Sequence, residues 1–168
     1  MVAFLGGTIG NLYLEERKAF LGALGDLLQP GDSVLLGTDL VKSADRLIAA
    51  YDDSQGVTEA FIRNSLTVVN RETRGGLRPG RLLLHPVLGR PHGADGHAAA
   101  RGGPAAGQCA GCRPGAGAWP SARSLRVEIS TKFRVSRIAA ELEAAGLAVA
   151  RVWTDEPGDF ALTLAVKP

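Results

Sequence analysis

Apolar residues in the first part of the chain fall into short runs, separated by segments with helical spacing. The runs at residues 2–5 and 33–40 predict two buried strands, and residues 14–28 between them predict an amphipathic helix. Residues 44–51 and 56–72 predict two further helices. The apolar faces of the first and last of these helices are expected at Phe20, Leu21, Leu24, Leu27 and Leu28, and at Phe61, Ile62, Leu66 and Val69.

The last part of the chain predicts one more helix between strands. Strands are expected at residues 125–133, 147–155 and 159–167, and a helix at residues 135–145. Gly146 suits the position just after the end of that helix. Pro157 followed by Gly158 predicts a type II turn over residues 156–159, so the last two strands form an antiparallel hairpin. The fold class is therefore α/β, the back half of an open sheet with an antiparallel edge hairpin and an insertion.

Ligand chemistry is expected in the first stretch, VAFLGGTIGN, at residues 2–11. Ligands in open α/β sheets bind beyond the carboxyl ends of the strands. Gly6 and Gly7 would let a ligand approach the backbone, and Asn11 would present its amide. The alternatives are that the glycines only form a tight turn and that Asn11 caps the next helix. Asp39 ends the second strand, where it could reach a ligand or cap the helix that follows.

Length and composition indicate one ordinary soluble domain. The chain has 168 residues and a net charge of +2, which gives no reason to expect a nucleic acid or an anionic membrane as a partner. No apolar run approaches the roughly 20 residues of a membrane span, and no secretory signal is present. Only two cysteines occur, too few to crosslink a secreted scaffold, so a cytoplasmic location is expected.

Residues 75–124 differ from the rest of the chain in composition. They hold 12 of the 22 glycines, 6 of the 9 prolines and all three histidines, with six arginines against one acid. We expect this segment to be irregular. Cys109 and Cys112 have the spacing of half a zinc site, but a zinc site needs four ligands on an ordered frame, so no metal is predicted. A basic segment that binds RNA is an alternative.

Four stretches of the chain resemble one enzyme family. They are VAFLGGTIGN, LLGTDLVKSADRLIAAYDDSQGVTEAFIRNSLTVVNRE, VEISTKF and VWTDEPGDFALTLAV. The family is the histidine-specific Nα-methyltransferases of ergothioneine biosynthesis, which use S-adenosylmethionine. The resemblance implies a Rossmann-like class I methyltransferase fold of which this chain is the C-terminal half. It divides the chain into a partial core with the start of the substrate insertion (1–72), the irregular segment (73–124) and a substrate strand with the last core strands (125–168).

The family resemblance implies that Glu128 and Ser130, with Ile129 between them, bind the imidazole of histidine. On a strand, residues two apart point to the same face, so both side chains could meet the ring nitrogens. A carboxylate that accepts an imidazole N–H forms a charge-assisted bond and rejects amino acids that lack the N–H. The alternative for Glu128 is a solvated acid on the strand face.

The same resemblance implies four binding residues besides the three that bind the imidazole. Asn11 is similar to the amide that holds the amino-acid end of histidine, and Tyr51 to the phenol that binds its carboxylate. Gly6 and Thr8 line the loop. The alternative for Tyr51 is packing at a helix end. No S-adenosylmethionine-binding motif of the family can be carried onto this chain, so its cofactor-binding residues are unknown.

The implied reaction is direct attack of the α-amine of L-histidine on the sulfonium methyl, repeated to the trimethylated product hercynine. The protein would mainly align the reacting groups. Because the cofactor half is expected upstream, this chain alone is expected to be inactive. The alternative is a non-catalytic histidine-binding fragment, either a monomer or a partner of a complementing N-terminal chain.

A frameshift is our hypothesis for the origin of the irregular segment. Residues 76–89 (GLRPGRLLLHPVLG) can be encoded so that a one-base shift gives DFDPGAFSYIPSWD, which resembles what the family carries after the NRE helix. We hypothesise one frameshift near Thr73 and a compensating one near Ser124. The nucleotide sequence would test this directly.

Overall fold

The computed structural model describes residues 1–73 and 128–168 in full, and the backbone of three strands between them. In chain order the elements are β1 (Val2–Phe4), a 3₁₀ turn (Thr8–Asn11), α1 (Leu14–Leu27), β2 (Ser33–Asp39), α2 (Ala44–Tyr51), α3 (Val57–Thr73), β3 (Leu84–Gly89), β4 (His97–Gly102), β5 (Leu125–Arg126), β6 (Ser130–Thr131), α4 (Val135–Ala144), β7 (Ala148–Thr154) and β8 (Phe160–Val166). They belong to two compact units. The first comprises Met1–Ser43, Gly89–His97 and Ile129–Pro168, and the second comprises Ala44–Leu88 and Ala98–Glu128.

The first unit contains a four-stranded mixed sheet in the order β1-β2-β8-β7. Strands β1 and β2 run parallel, β8 is antiparallel to β2, and β7 is antiparallel to β8. The α/β class and the hairpin at the sheet edge are therefore confirmed. The antiparallel member of that hairpin is the inner strand β8, and the edge strand β7 has the direction of β1 and β2.

Two helices cover one face of this sheet and form its core. The buried side chains include Leu21, Leu24 and Leu28 around α1, Ile138 and Leu142 of α4, and Val34, Leu36, Ala161 and Ala165 of the sheet. Leu27, expected on the apolar face of α1, is 72% exposed, so the end of that face is narrower than predicted. Helix α4 ends as predicted. Gly146 has a φ of +73°, and the amide of Leu147 donates to the carbonyl of Leu142 at 3.0 Å.

The turn between β7 and β8 begins one residue earlier than predicted. The amide of Gly158 donates to the carbonyl of Asp155 at 3.0 Å, so the bonded turn covers residues 155–158. The Asp155 carboxylate accepts the amides of Asp159 at 2.7 Å and Phe160 at 2.9 Å. This side-chain bonding favours a turn that starts at Asp155.

The second unit contains α2, α3 and a small sheet with the strand order β3-β4-β5. Two of these strands, β3 and β4, lie within residues 73–124, so the prediction that this whole segment is irregular is wrong. Strand β3 includes Pro86, and β3 and β4 each end at a glycine, so these residues do not prevent strand formation. On α3 the buried apolar residues are Ile62 and Leu66, whereas Phe61 is 70% and Val69 43% exposed. The buried stripe of α3 is thus narrower than predicted.

The carboxylate of Asp53 caps the N-terminus of helix α3. This cap was not predicted from the sequence. Oδ2 of Asp53 accepts the amide of Val57 and Oδ1 that of Thr58, both at 2.8 Å. These bonds stabilise the charged form and lower the pKa of Asp53 from 3.8 to about 2, chiefly through the amides of Thr58 and then Val57.

We expect Asp53→Ala to speed amide hydrogen exchange at Val57 and Thr58 severalfold, because two helix N–H groups lose their acceptor. Since the folded pKa is lowered, the cap is fully effective above pH 3.8 and is lost as the pH falls through about 2. Asp52→Ala is the matched control, because the Asp52 side chain makes no hydrogen bond within the described residues. Equal exchange rates in the two variants, measured by NMR, would contradict the assignment.

None of the helices in residues 1–73 and 128–168 has the length and apolarity needed to span a membrane. Within the same residues, no three His, Cys, Asp or Glu side chains are grouped so that they could hold a metal ion. The predictions for Cys109 and Cys112 fall outside the described residues.

Candidate functional site

The candidate site lies in the first unit, at the carboxyl ends of β1 and β2. The two strands are paired in parallel from Val2 with Val34 to Phe4 with Leu36, so they end side by side. After β1 the chain turns at Gly6 and Gly7, whose φ values are +78° and +68°. These left-handed conformations require glycine. The two glycines therefore form a tight turn, and their contact with a ligand stays a prediction.

Two of the predicted binding residues are exposed in the loop that follows. Thr8 and Asn11 begin and end the 3₁₀ turn. The Thr8 hydroxyl donates to the carbonyl of Leu5 at 3.4 Å, and the Asn11 side chain makes no hydrogen bond within the described residues. Asn11 does not cap α1, since the N-cap is Tyr13, whose amide donates to Glu16 at 2.8 Å. The amide of Asn11 is thus available to a ligand.

The strand that carries Ser130 packs directly against the 3₁₀ turn. Gly10 is buried, and a Cβ built on it would lie 2.7 Å from the carbonyl oxygen and 3.3 Å from the amide nitrogen of Thr131. Only a residue without a side chain permits this approach of two backbones. The structure therefore brings Asn11 and Ser130, 119 positions apart in the sequence, onto neighbouring segments of one unit.

Residues 132–133, which follow β6, are held in place by the end of β2. The amide of Phe133 donates to the carbonyl of Asp39 at 2.8 Å, and the amide of Val41 donates to the carbonyl of Phe133 at 2.9 Å. A parallel bridge joins Leu40 and Phe133. The side chain of Phe133 is buried in the core, so this segment is fixed by its backbone and by packing.

A charged cluster, which the sequence analysis missed, connects Ser130 to β2. The ammonium of Lys132 lies 2.6 Å from Oδ2 of Asp39 and donates to Oγ of Ser130 at 2.8 Å. Lys42 donates to the other oxygen of Asp39 at 2.7 Å. Burial alone would raise the pKa of Asp39, but the hydrogen bonds from Lys132 and Lys42 outweigh it and the pKa is lowered. Asp39 therefore binds two lysines, and the structure gives no support to its predicted role as a helix cap.

The predicted strand at residues 125–133 is interrupted, which is a correction to the argument for the imidazole site. Strands β5 and β6 cover only Leu125–Arg126 and Ser130–Thr131, and Glu128 and Ile129 lie outside both. Strand pairing therefore does not support the same-face argument for Glu128 and Ser130, which stays a prediction. Glu128 and Ile129 are both half-buried, and their roles stay predictions.

Tyr51 lies in the second unit, as does Glu128, whereas Ile129 and Ser130 lie in the first. The half-buried Tyr51 ends α2 and borders a cavity of about 360 Å³, lined by Tyr51, Asp52, Asp53, Ser54, Gly56 and Glu59. Three carboxylates in this lining repel a carboxylate ligand. The predicted contact of Tyr51 with the histidine carboxylate is thus not provided by this cavity and stays a prediction.

The chain is similar to one known family and to several proteins. A family model described as "Histidine-specific methyltransferase, SAM-dependent" matches residues 1–167. The chain is 43% identical over 174 aligned residues to the histidine N-alpha-methyltransferase of Mycobacterium tuberculosis, covering 99% of this chain and 52% of that protein. It is 36% identical over 69 residues to ergothioneine biosynthesis protein 1 of Neurospora crassa, covering 41% of this chain and 8% of that protein.

Among solved structures, an S-adenosylmethionine-dependent methyltransferase from Clostridium acetobutylicum aligns with a TM-score of 0.44 at 7% identity, covering 98% of this chain and 56% of that one. The chain spans about half the length of the M. tuberculosis relative. The family model extends over almost every residue, from the start of β1 to the end of β8. The chain belongs to the family of histidine-specific, S-adenosylmethionine-dependent methyltransferases.

Proposed function

We propose that this chain carries the histidine-binding part of an enzyme that transfers methyl groups from S-adenosylmethionine to the α-amine of L-histidine. The product is hercynine, an intermediate of ergothioneine biosynthesis. The family match and the names of the mycobacterial and fungal relatives support this substrate and pathway.

The observation that carries the proposal is the packing of β6 on the 3₁₀ turn. It holds an exposed amide at Asn11 next to a strand that presents a serine hydroxyl at Ser130. An amide can donate to a carboxylate, and a hydroxyl can donate to a ring nitrogen. Histidine carries both of these acceptors, at opposite ends of one molecule. The pair therefore suits an amino acid with an imidazole side chain.

The backbone at Gly6 is open to a ligand, and S-adenosylmethionine is the cofactor that the family implies. Gly6 is exposed, and a Cβ built on it would meet within 4 Å only the hydroxyl of Thr8, so a ligand can approach this backbone. When bound, S-adenosylmethionine supplies an electrophilic methyl group on a sulfonium. The residues of this chain bind and orient the amino acid so that its α-amine faces that methyl, and alignment supplies much of the rate.

Calorimetry with L-histidine and with S-adenosylmethionine tests the proposal, together with a methyl-transfer assay. We expect histidine to bind, and Asn11→Ala to weaken binding about 10-fold to 100-fold, because a hydrogen bond to a charged carboxylate is lost. Asn64→Ala, an exposed change on α3, is the matched control and leaves the affinity unchanged. Absence of histidine binding to the unmodified chain would overturn the proposal.

A second candidate is a non-catalytic histidine-binding chain, or one that works with a separate complementing chain. The observation that favours this candidate is that the chain covers only 52% of the M. tuberculosis relative. Histidine binding without methyl transfer would support this candidate. Methyl transfer by the chain alone would exclude it.

A further inference from the structure

Lys132 is a buried cation at the candidate site that the proposed chemistry does not yet use. Its side chain is 4% exposed, whereas that of Lys42, the other lysine on Asp39, is 17% exposed. A buried ammonium is costly unless it is paired and hydrogen-bonded. Lys132 meets this requirement through Asp39 and Ser130, at 2.6 and 2.8 Å.

Both the backbone and the side chain of Lys132 are held in place. The next residue, Phe133, is hydrogen-bonded to Asp39 and Val41 at the end of β2. The Asp39 carboxylate is fixed from its other side by Lys42. Lys132 therefore approaches Ser130 from a rigid support, with few alternative positions for its ammonium.

The chemistry of this contact determines how the Ser130 hydroxyl is oriented. An ammonium is only a donor, so Oγ of Ser130 accepts from Lys132 and its own hydrogen points elsewhere. The Ser130 hydroxyl has no other hydrogen bond among the described residues. Accepting a bond from a cation also polarises the O–H and makes it a stronger donor. Ser130 thus presents a donor of fixed direction.

We propose that Lys132, supported by Asp39, is a positioning residue that fixes Ser130 as the hydrogen-bond donor to the acceptor nitrogen of a neutral imidazole. The inference rests on the proposed function. Neutral imidazole has one N–H donor and one bare acceptor nitrogen. A site that offers a fixed donor prefers a ring with an acceptor at that place, because other rings leave the polarised hydroxyl unpaired.

Two lysine substitutions separate this role from a general effect on the cluster. Lys132→Met and Lys42→Met each remove one ammonium from Asp39 and leave the other, but only Lys132→Met releases Ser130. The measurement is the ratio of affinities for L-histidine and β-(2-thienyl)-L-alanine, whose ring is similar in size but has no nitrogen. We expect Lys132→Met to lower this ratio about tenfold and Lys42→Met to change it less than about twofold. Equal changes in both variants would overturn the inference.

A double-substitution cycle checks that Lys132 acts through Ser130. In a Ser130→Ala background, Lys132→Met should have no further effect on the affinity ratio, since the hydroxyl that it orients is already absent. Additive effects would show that Lys132 acts on the ligand by another route and would overturn the inference. Circular dichroism of each variant verifies that it is folded.

A ligand-free measurement keeps this inference distinguishable from the proposed function. In protein labelled with ¹⁵N in the lysine side chains, Ser130→Ala should shift the ammonium signal of Lys132 and leave that of Lys42 unchanged. If the unmodified chain binds no histidine, the proposed function fails, and this measurement still decides whether Lys132 holds Ser130. An unchanged Lys132 signal would overturn the inference whatever the chain binds.

Discussion

Replacing Arg17 by methionine is expected to lower the free energy of unfolding by about 3–5 kcal/mol, because it leaves a buried carboxylate without its main partner. Arg17 is 2% exposed, and its guanidinium binds both oxygens of Glu141, at 2.6 and 2.9 Å. It also lies over the ring of Phe133, 4.9 Å from the ring centre. Arg137, the remaining partner of Glu141 at 2.8 Å, is 36% exposed and compensates only partly.

The Arg17–Glu141 pair also predicts how the free energy of unfolding depends on pH. Burial raises the pKa of Glu141, but the hydrogen bonds from Arg17 and then Arg137 outweigh this, so the pKa is lowered from 4.5. A group with a lowered folded pKa contributes its stability above the unfolded value, and the contribution is lost as the pH falls through the folded value. The difference between the wild type and Arg17→Met should therefore be largest above pH 4.5 and shrink on acidification.

Urea denaturation measures both effects, with Lys18→Met as the matched control. Lys18 is on the same helix, but its pair with Glu15 is exposed, so its loss should cost less than about 1 kcal/mol. If Arg17→Met cost no more than Lys18→Met, the buried pair would not stabilise the first unit.

Gly10→Ala is expected to lower the free energy of unfolding by about 1–3 kcal/mol, because the added methyl group overlaps the carbonyl oxygen of Thr131 and lies tightly against its amide nitrogen. Backbone atoms cannot rotate away as a flexible side chain can, so β6 has to move from the 3₁₀ turn. Ser130 precedes Thr131 and would move with it. On the proposed function, we therefore also expect histidine affinity to fall.

The control for this prediction is a second glycine-to-alanine change in the same unit. Gly22 lies on α1, and a Cβ built there meets nothing within 4 Å. Gly22→Ala should stabilise the chain by about 0.5–1 kcal/mol, since alanine is the better helix former. Thermal unfolding followed by circular dichroism distinguishes the two variants by the sign of the change. A neutral Gly10→Ala would contradict the close approach of the turn and β6.

The sequence predicts the local elements of this fold well because each has its own periodicity or breaker. Helix α2 was predicted with its observed bounds of Ala44–Tyr51, and Gly146 ends α4 as its left-handed conformation requires. The alternation of apolar and polar residues at 125–133 predicted one continuous strand, which the structure does not show. The same alternation occurs whether or not each residue pairs with a neighbouring strand. Strand pairing depends on distant residues that a local pattern does not contain.

The candidate site was predictable only in part, for a similar reason. Asn11 and Ser130 follow from a resemblance of motifs, whereas the Lys132–Asp39 contact joins residues 93 positions apart and has no motif of its own. One local signal was available, since Ser130 and Lys132 are two residues apart in a stretch that was predicted as a strand. The frameshift hypothesis for residues 73–124 stays a prediction that the nucleotide sequence would test.

The backbone hydrogen bonds of Phe133 with Asp39 and Val41 have a consequence for how this chain tolerates change. The chain leaves the end of β2 after Leu40 and returns beside it at Phe133, so the residues between them form an excursion whose two ends are tied together at its base. The entropy of closing such a loop grows only slowly with its length. Changes in length or sequence in the middle of the excursion, away from Lys42, β6 and Lys132, are therefore expected to leave the register of the sheet unchanged.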